Sequence, residues 1–269
     1  MVSFPPCKIN LGLSILRKRD DGFHDIETCF YPVPFTDIVE IIPADEFGFS
    51  TSGLAIGGKE SDNLCVRAYT LMRQAYQLPP VKIHLHKIVP MGAGLGGGSA
   101  DAAHCIRILN EVFTLQLSDI EMREDAARLG SDCAFFVSGG PMLGTGRGEV
   151  LTPLPLSLKG YYLVLANPGI HVSTAAAYAG VVPTMPTESV SEIVARPVAE
   201  WRSQLKNDFE EGVFGMYPEL LELKENLYNA GAVYAAMSGS GSTVFGLFEK
   251  EALNPGVPGN IIVWKGFLD

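Results

Sequence analysis

Apolar and polar residues alternate through Val81-Lys82-Ile83-His84-Leu85-His86-Lys87-Ile88, the period expected of a half-buried strand. The same period runs from Cys7 to Leu16, where Lys8 and Asn10 interrupt an otherwise apolar segment on one face. Segments 25–31 and 37–42 read as further strands and suggest an antiparallel start. The period then changes to that of a helix. Leu64, Ala68, Leu71 and Met72 form a stripe over 63–76, with Ser61 or Asp62 available as a cap and Pro79-Pro80 as a stop. Ala102, Ala103, Ile106 and Leu109 mark a helix over 100–113 that Ser99 can cap, and a third helix is expected from Ser118 or Asp119 to Leu129, closed by Gly130.

The second half begins after Pro153-Leu154-Pro155, where composition shifts, so the expected domains are 1–153 and 154–269. Before it, 142–153 reads as a hairpin turning at Gly144-Thr145-Gly146-Arg147-Gly148-Glu149. After it come a strand at 161–166, a short helix from Ser173 or Thr174 through Tyr178, and an exposed loop at 181–191. Helices are expected near 198–205, 208–216 and 218–230, the last with Pro218 at its first position. Strands at 232–237 and 243–248 flank Ser238-Gly239-Ser240-Gly241-Ser242, and a final strand covers 261–264.

Between the strand ending at Ile88 and the helix near Ala100 lies Pro90-Met91-Gly92-Ala93-Gly94-Leu95-Gly96-Gly97-Gly98-Ser99-Ala100. Such a glycine density is hard to explain by packing. Glycine tolerates positive φ, so the backbone can turn its N–H groups toward an anion, and a helix start adds unpaired N–H groups and a positive dipole end. Phosphate is the guest that fits this pattern. Gly92 to Gly97 also matches G-x-G-x-x-G, but a second helix rather than a second strand follows, against a dinucleotide fold. No Gly-Lys-Ser/Thr follows either, which excludes a Walker A loop. A plain flexible turn is the alternative.

Composition narrows the partners. The net charge of -10 disfavours nucleic-acid binding, and no run of some 18 apolar residues offers a membrane span. An anionic substrate would meet local positive charge at Lys8, Arg17, Lys18 and Arg19. Five cysteines without C-x-x-C spacing fit reduced thiols in a cytoplasm. A small-molecule ligand and a monomer or weak dimer are the expected company.

On spacing alone, Lys8 reads equally as a solvated edge charge, Asp132 in Ser131-Asp132-Cys133-Ala134 as a helix cap or a poised carboxylate, His24 as a turn residue and Tyr178 as helix core. Taken together, the lysine strand, the glycine run with Asp132 beyond it and the Ser238–Ser242 loop resemble the GHMP kinases over nearly the whole chain. Pro6-Cys7-Lys8-Ile9-Asn10-Leu11 with Asp21-Gly22-Phe23-His24 is similar to the branch of that family acting on a cytidine-linked methylerythritol. The resemblance implies a two-domain α+β fold, the first domain like domain 2 of ribosomal protein S5 and the second ferredoxin-like.

It also implies ATP-dependent phosphorylation of the tertiary C2 hydroxyl of that alcohol, a step toward isoprenoid precursors. Residues 90–100 would cradle ATP; Asp132 would accept the hydroxyl proton with Lys8 as its cationic partner. Phe23, His24 and Tyr178 would hold the cytosine, with Asn10, Thr174 and Gly239 as further substrate contacts. Mg²⁺ is expected to arrive with ATP, since no second carboxylate stands out and no metal-ligand set is assigned. Two departures are visible: Phe23 stands where the family usually has tyrosine, and Ser131-Asp132-Cys133-Ala134 replaces Ala-Asp-Val-Pro. Two rivals are a family member acting on mevalonate or homoserine, which would not need the Asp-Gly-Phe-His turn, and a non-catalytic sensor of ATP and sugar, which would not need both Lys8 and Asp132.

Overall fold

The computed structural model describes residues 1–268. In chain order the strands and helices are β1 (Val2–Ser3), β2 (Pro6–Lys18), β3 (His24–Thr36), β4 (Ile38–Pro43), β5 (Gly48–Gly53), α1 (Leu64–Tyr76), β6 (Val81–Lys87), α2 (Gly97–Val112), α3 (Asp119–Ala127) and α4 (Phe135–Ser138). After these come β7 (Met142–Thr145), β8 (Val150–Pro153), β9 (Tyr162–Ala166), α5 (Thr174–Ala179), α6 (Val190–Val194), α7 (Trp201–Gln204), α8 (Phe209–Met216), α9 (Pro218–Asn229), β10 (Tyr234–Met237), β11 (Val244–Phe248) and β12 (Ile262–Phe267). Mixed helices and sheets make this the expected α+β class.

The chain packs as two compact units that are discontinuous in sequence. Unit 1 is residues 1–8, 32–91 and 96–139; unit 2 is residues 9–31, 92–95 and 140–269. Unit 1 is built on a sheet of order β1-β4-β6-β5, antiparallel except for the parallel β5–β6 pair. Along β6, Val81, Ile83, Leu85 and Lys87 are buried while Lys82 is exposed and His84 and His86 half-buried, so the alternation is real. Helix α2 packs on β4 and on α1, burying Ala102, Ala103, Ile106 and Leu109. The stripe read for α2 is therefore core, whereas in α1 only Ala68 and Met72 of the expected stripe are buried, beside Cys65, Val66 and Tyr69.

Unit 2 carries an antiparallel sheet of order β10-β11-β9-β12, which is the strand order of a ferredoxin-like fold. Its core joins Val164, Phe209, Val213, Leu220, Leu227 and Val244, so α8 and α9 lie against that sheet. The β7–β8 hairpin forms as expected, with Thr145 opposite Val150, and β7 pairs with β3 at Thr28–Phe30 in a separate sheet of order β2-β3-β7-β8.

Several helix starts differ from expectation. Asn63, not Ser61 or Asp62, caps α1, its side chain accepting the Cys65 N–H at 2.9 Å. Helix α2 starts three residues before Ala100, with Gly96 at the cap in the left-handed region (φ 69°), and Ser99 lies inside the first turn. The loop expected at 181–191 gives way at Val190 to α6, held by a capping box between Ser189 and Glu192. Among the described residues no helix is long and apolar enough to cross a membrane.

Candidate active site

In unit 1, Lys8 lies on β2 and is 3% exposed. Its Nζ is 3.8 Å from Asp132 Oδ2, and the Asp132 side chain is 34% exposed. A lysine this deep is not the solvated edge charge that spacing allowed. Burial pulls the Lys8 pKa below the ordinary lysine range, and the Asp132 carboxylate opposes that shift. Asp132 does not cap the next helix either: α4 has Ala134 at its cap position and no side-chain cap bond. The pair thus sets a partly open carboxylate beside a buried ammonium.

The helix end of the glycine run lies against Lys8. A Cβ on Gly96 would stand 2.9 Å from Phe136 Cζ and 3.2 Å from Lys8 Cε, so only glycine fits over the lysine stem. From Gly97, α2 opens with no side-chain cap, and the first N–H groups of a helix have no intrahelical acceptor, which suits an anion. Ser99 does not cap α2 and lies inside its first turn, and burial raises the neighbouring Cys133 thiol to about 11. Pro90, Met91, Gly97, Gly98 and Ala100 also belong to this unit.

Unit 2 holds the middle of the run, Gly92-Ala93-Gly94-Leu95, against the Ser238–Thr243 loop. Ser238 Oγ donates to the Gly94 carbonyl at 2.8 Å, and Thr243 N–H donates to the Ala93 carbonyl at 3.2 Å. A Cβ on Gly94 would meet the Ser238 carbonyl oxygen at 1.9 Å. Gly239 also adjoins this crossing, its Cβ direction ending 3.3 Å from Asn10 Oδ1. Asn10 donates to Thr28 Oγ1 at 2.9 Å, and its backbone N–H to Ser238 Oγ at 3.3 Å. Asn10, Gly94 and Gly239 are therefore brought together.

The aromatic candidates lie in unit 2 as well. His24 and Tyr178 stack with ring centroids 4.7 Å apart, and Phe209 meets Tyr178 edge-on. Tyr178 is thus backed by the core yet presents a face to His24. Phe23 is apart from that stack: it is 54% exposed and its ring lies under the Arg147 guanidinium, 4.9 Å from the centroid. Thr174 Oγ1 is 3.4 Å from Ser240 Oγ, so the start of α5 reaches the Ser238–Thr243 loop.

Two residues here escaped the sequence reading. Asn207, 3% exposed, donates through Nδ2 to the carbonyls of Met237 and Gly239, both at 2.8 Å, and so fixes the loop after β10. Arg147 was visible only as part of a turn, where no spacing linked it to Phe23.

Two family models, described as GHMP kinases N terminal domain and GHMP kinases C terminal, match residues 63–140 and 190–255. The chain belongs to the GHMP kinases. Among curated relatives, 4-diphosphocytidyl-2-C-methyl-D-erythritol kinase of Cytophaga hutchinsonii is 52% identical over 252 residues, covering 93% of each chain. The protein so named from Bacteroides thetaiotaomicron is 48% identical over 274 residues and covers all of both chains. A crystal structure of 4-(cytidine 5'-diphospho)-2C-methyl-D-erythritol kinase superposes with a TM-score of 0.77 at 35% identity, over 92% of this chain and 90% of that one. The two-domain fold expected from the resemblance is the fold of this family.

Proposed function

We propose that this chain transfers the terminal phosphoryl group of ATP to the C2 hydroxyl of 4-diphosphocytidyl-2-C-methyl-D-erythritol. The observation that carries the reading is the ion pair of buried Lys8 with half-open Asp132 under the glycine helix start, in a chain 52% identical to a relative of that name. Phosphoryl transfer through a loose transition state asks a protein chiefly for positioning and for charge stabilisation. The chain offers both.

Asp132 accepts the proton of the C2 hydroxyl as that oxygen bonds to the terminal phosphorus and the bond to the leaving diphosphate oxygen breaks. Lys8 sits beside Asp132 and offsets the charge growing on the attacking oxygen. Residues 90–100 supply main-chain N–H groups to the phosphates. What supports them is backbone conformation: Gly92, Gly94 and Gly96 have positive φ, which turns main-chain N–H groups in ways other residues resist, and α2 starts without a side-chain cap. His24, Tyr178 and Phe23 hold the cytosine by stacking and edge contacts, with Asn10, Thr174 and Gly239 lining the same substrate.

Mg²⁺ would arrive bound to ATP, with Ser99 as at most one protein ligand; among the described residues no three His, Cys, Asp or Glu side chains gather as a metal site. We keep 1–153 and 154–269 as the proposed amino- and carboxy-terminal family domains, because the two family matches fall on either side of that division. The deciding assay supplies ATP with the cytidyl-linked methylerythritol, mevalonate or homoserine in turn and follows ADP. Release with the cytidyl substrate alone is the expected result; release with either of the others instead overturns the assignment.

A further inference from the structure

Unit 1 contains a second charged cluster that the reaction above does not use. Lys87, at the end of β6, is 1% exposed and its Nζ is bonded to Asp37 and, at 2.8 Å, to Asp101 Oδ2. Asp37 is fully buried and Asp101 is 2% exposed. One ammonium thus answers two carboxylates, and Asp101 Oδ1 has no hydrogen-bond partner among the described residues.

Such a cluster is a poor way to stabilise a core. Desolvating ions commonly costs more than their attraction returns, and an unpaired buried oxygen adds to the cost. Burial pushes the Asp101 carboxyl up to about 7, although Lys87 pulls the other way. Burial likewise works against the Lys87 charge, and its two carboxylates outweigh it and hold the ammonium above the ordinary lysine range.

Its geometry is more informative than its energy. Asp37 Oδ1 accepts the N–H groups of Ile88 at 2.5 Å and Val89 at 2.8 Å, fixing the chain as it leaves β6. Asp101 stands one turn into α2. Between them, a Cβ on Gly97 would come 2.9 Å from Lys87 Nζ and 3.0 Å from Val89 Cγ1, so the first turn of the helix rests on the ammonium itself. The strand that enters the glycine run and the helix that leaves it are therefore tied to one atom.

We propose that Lys87, Asp37 and Asp101 are positioning residues that set the start of α2 for nucleotide phosphates. The inference rests on the reading of residues 90–100 as the phosphate cradle. It accounts for Gly97 separately from that reading: glycine is needed there for the lysine below the helix.

The test uses the full chain and compares ADP affinity by calorimetry, KM for ATP, KM for the cytidyl substrate and thermal midpoint. Asp101→Asn is expected to weaken ADP and raise KM for ATP by about fivefold or more, because a displaced binding group loses much of its effect. KM for the cytidyl substrate should stay within about twofold and the midpoint should hold or rise, since a costly buried charge is removed. Unchanged ADP affinity in a folded Asp101→Asn protein would overturn the proposal and leave the cluster as core charge alone. Should that variant not fold, Lys87→Arg keeps the charge but moves it. A several-fold loss of ADP affinity there supports the proposal, and wild-type affinity overturns it. Gly96→Ala separates the two readings. If it destroys ADP binding while Asp101→Asn does not, only the positioning role falls; if neither variant changes ADP binding, the phosphate reading falls with it.

Discussion

The two units solve different problems with different materials. Unit 1 works with buried charge on regular elements: Lys8 and Lys87 at 3% and 1% exposure, and glycines shaped around both lysines. Unit 2 works with rings and hydroxyls nearer to solvent, the His24–Tyr178 stack and the Phe23 ring under Arg147. Buried charges act strongly and in one geometry, which suits a chemical step. Exposed rings act weakly and additively, which suits recognition. Substitutions in unit 1 should therefore move kcat or nucleotide affinity, and those in unit 2 should move KM for the alcohol substrate.

The sharpest test of that contrast is Asp132→Asn, expected to lower kcat by about 10²–10⁴ with ADP affinity intact, as loss of a general base does. A near-normal kcat would remove Asp132 from the base role. Next is Lys8. Its pKa lies below the usual lysine value of about 10.4 because burial disfavours the ammonium, so the active charged form is lost as pH rises through that lowered pKa. A pH profile of kcat/KM should fall on its alkaline side below the ordinary lysine range, and Lys8→Arg should move that fall upward. An alkaline limb unmoved by Lys8→Arg would assign the titration elsewhere.

In unit 2, His24→Ala should raise KM for the cytidyl substrate by about 5–150-fold, the worth of roughly 1–3 kcal/mol for one base contact, with KM for ATP little changed. Equal effects on both would take His24 out of base recognition and blur the division. Asn207→Ala leaves the Met237 and Gly239 carbonyls without their donor and should cost about 1–3 kcal/mol in a denaturant melt. The smallest change is expected from Phe23→Tyr, which restores the family's hydroxyl and preserves the ring; KM for the cytidyl substrate should shift by no more than about threefold, the scale of one exposed contact.

The sequence was most legible where backbone demands residue type. The glycine run, the β7–β8 turn and the strand over Val81–Lys87 announced themselves because glycine spacing and alternation are properties of the chain, not of its packing. The α2 start was misplaced because Ser99 has the chemistry of a cap, yet Gly96 at positive φ turns the chain earlier and leaves Ser99 inside the first turn. Strand β5 was missed because Gly48-Phe49-Ser50-Thr51-Ser52-Gly53 has almost no apolar side to declare, and it is recruited by parallel pairing with β6. Lys87 could have been found. It shares the phase of Val81, Ile83 and Leu85, so alternation places it inside, and a lysine inside needs acidic company. Asn207 and Arg147 gave no such signal, since their partners are distant in sequence.

The crossing of Ala93 and Gly94 with the loop after β10 carries a practical consequence for cutting the gene. Fragments ending at 153 and beginning at 154 would part Gly94 from Ser238 and Ala93 from Thr243, whose hydrogen bonds join stretches some 145 residues apart. Neither piece expressed by itself could give the proposed nucleotide loop its shape, so on that reading a split version of the enzyme would report on reassembly of its halves through ADP capture alone.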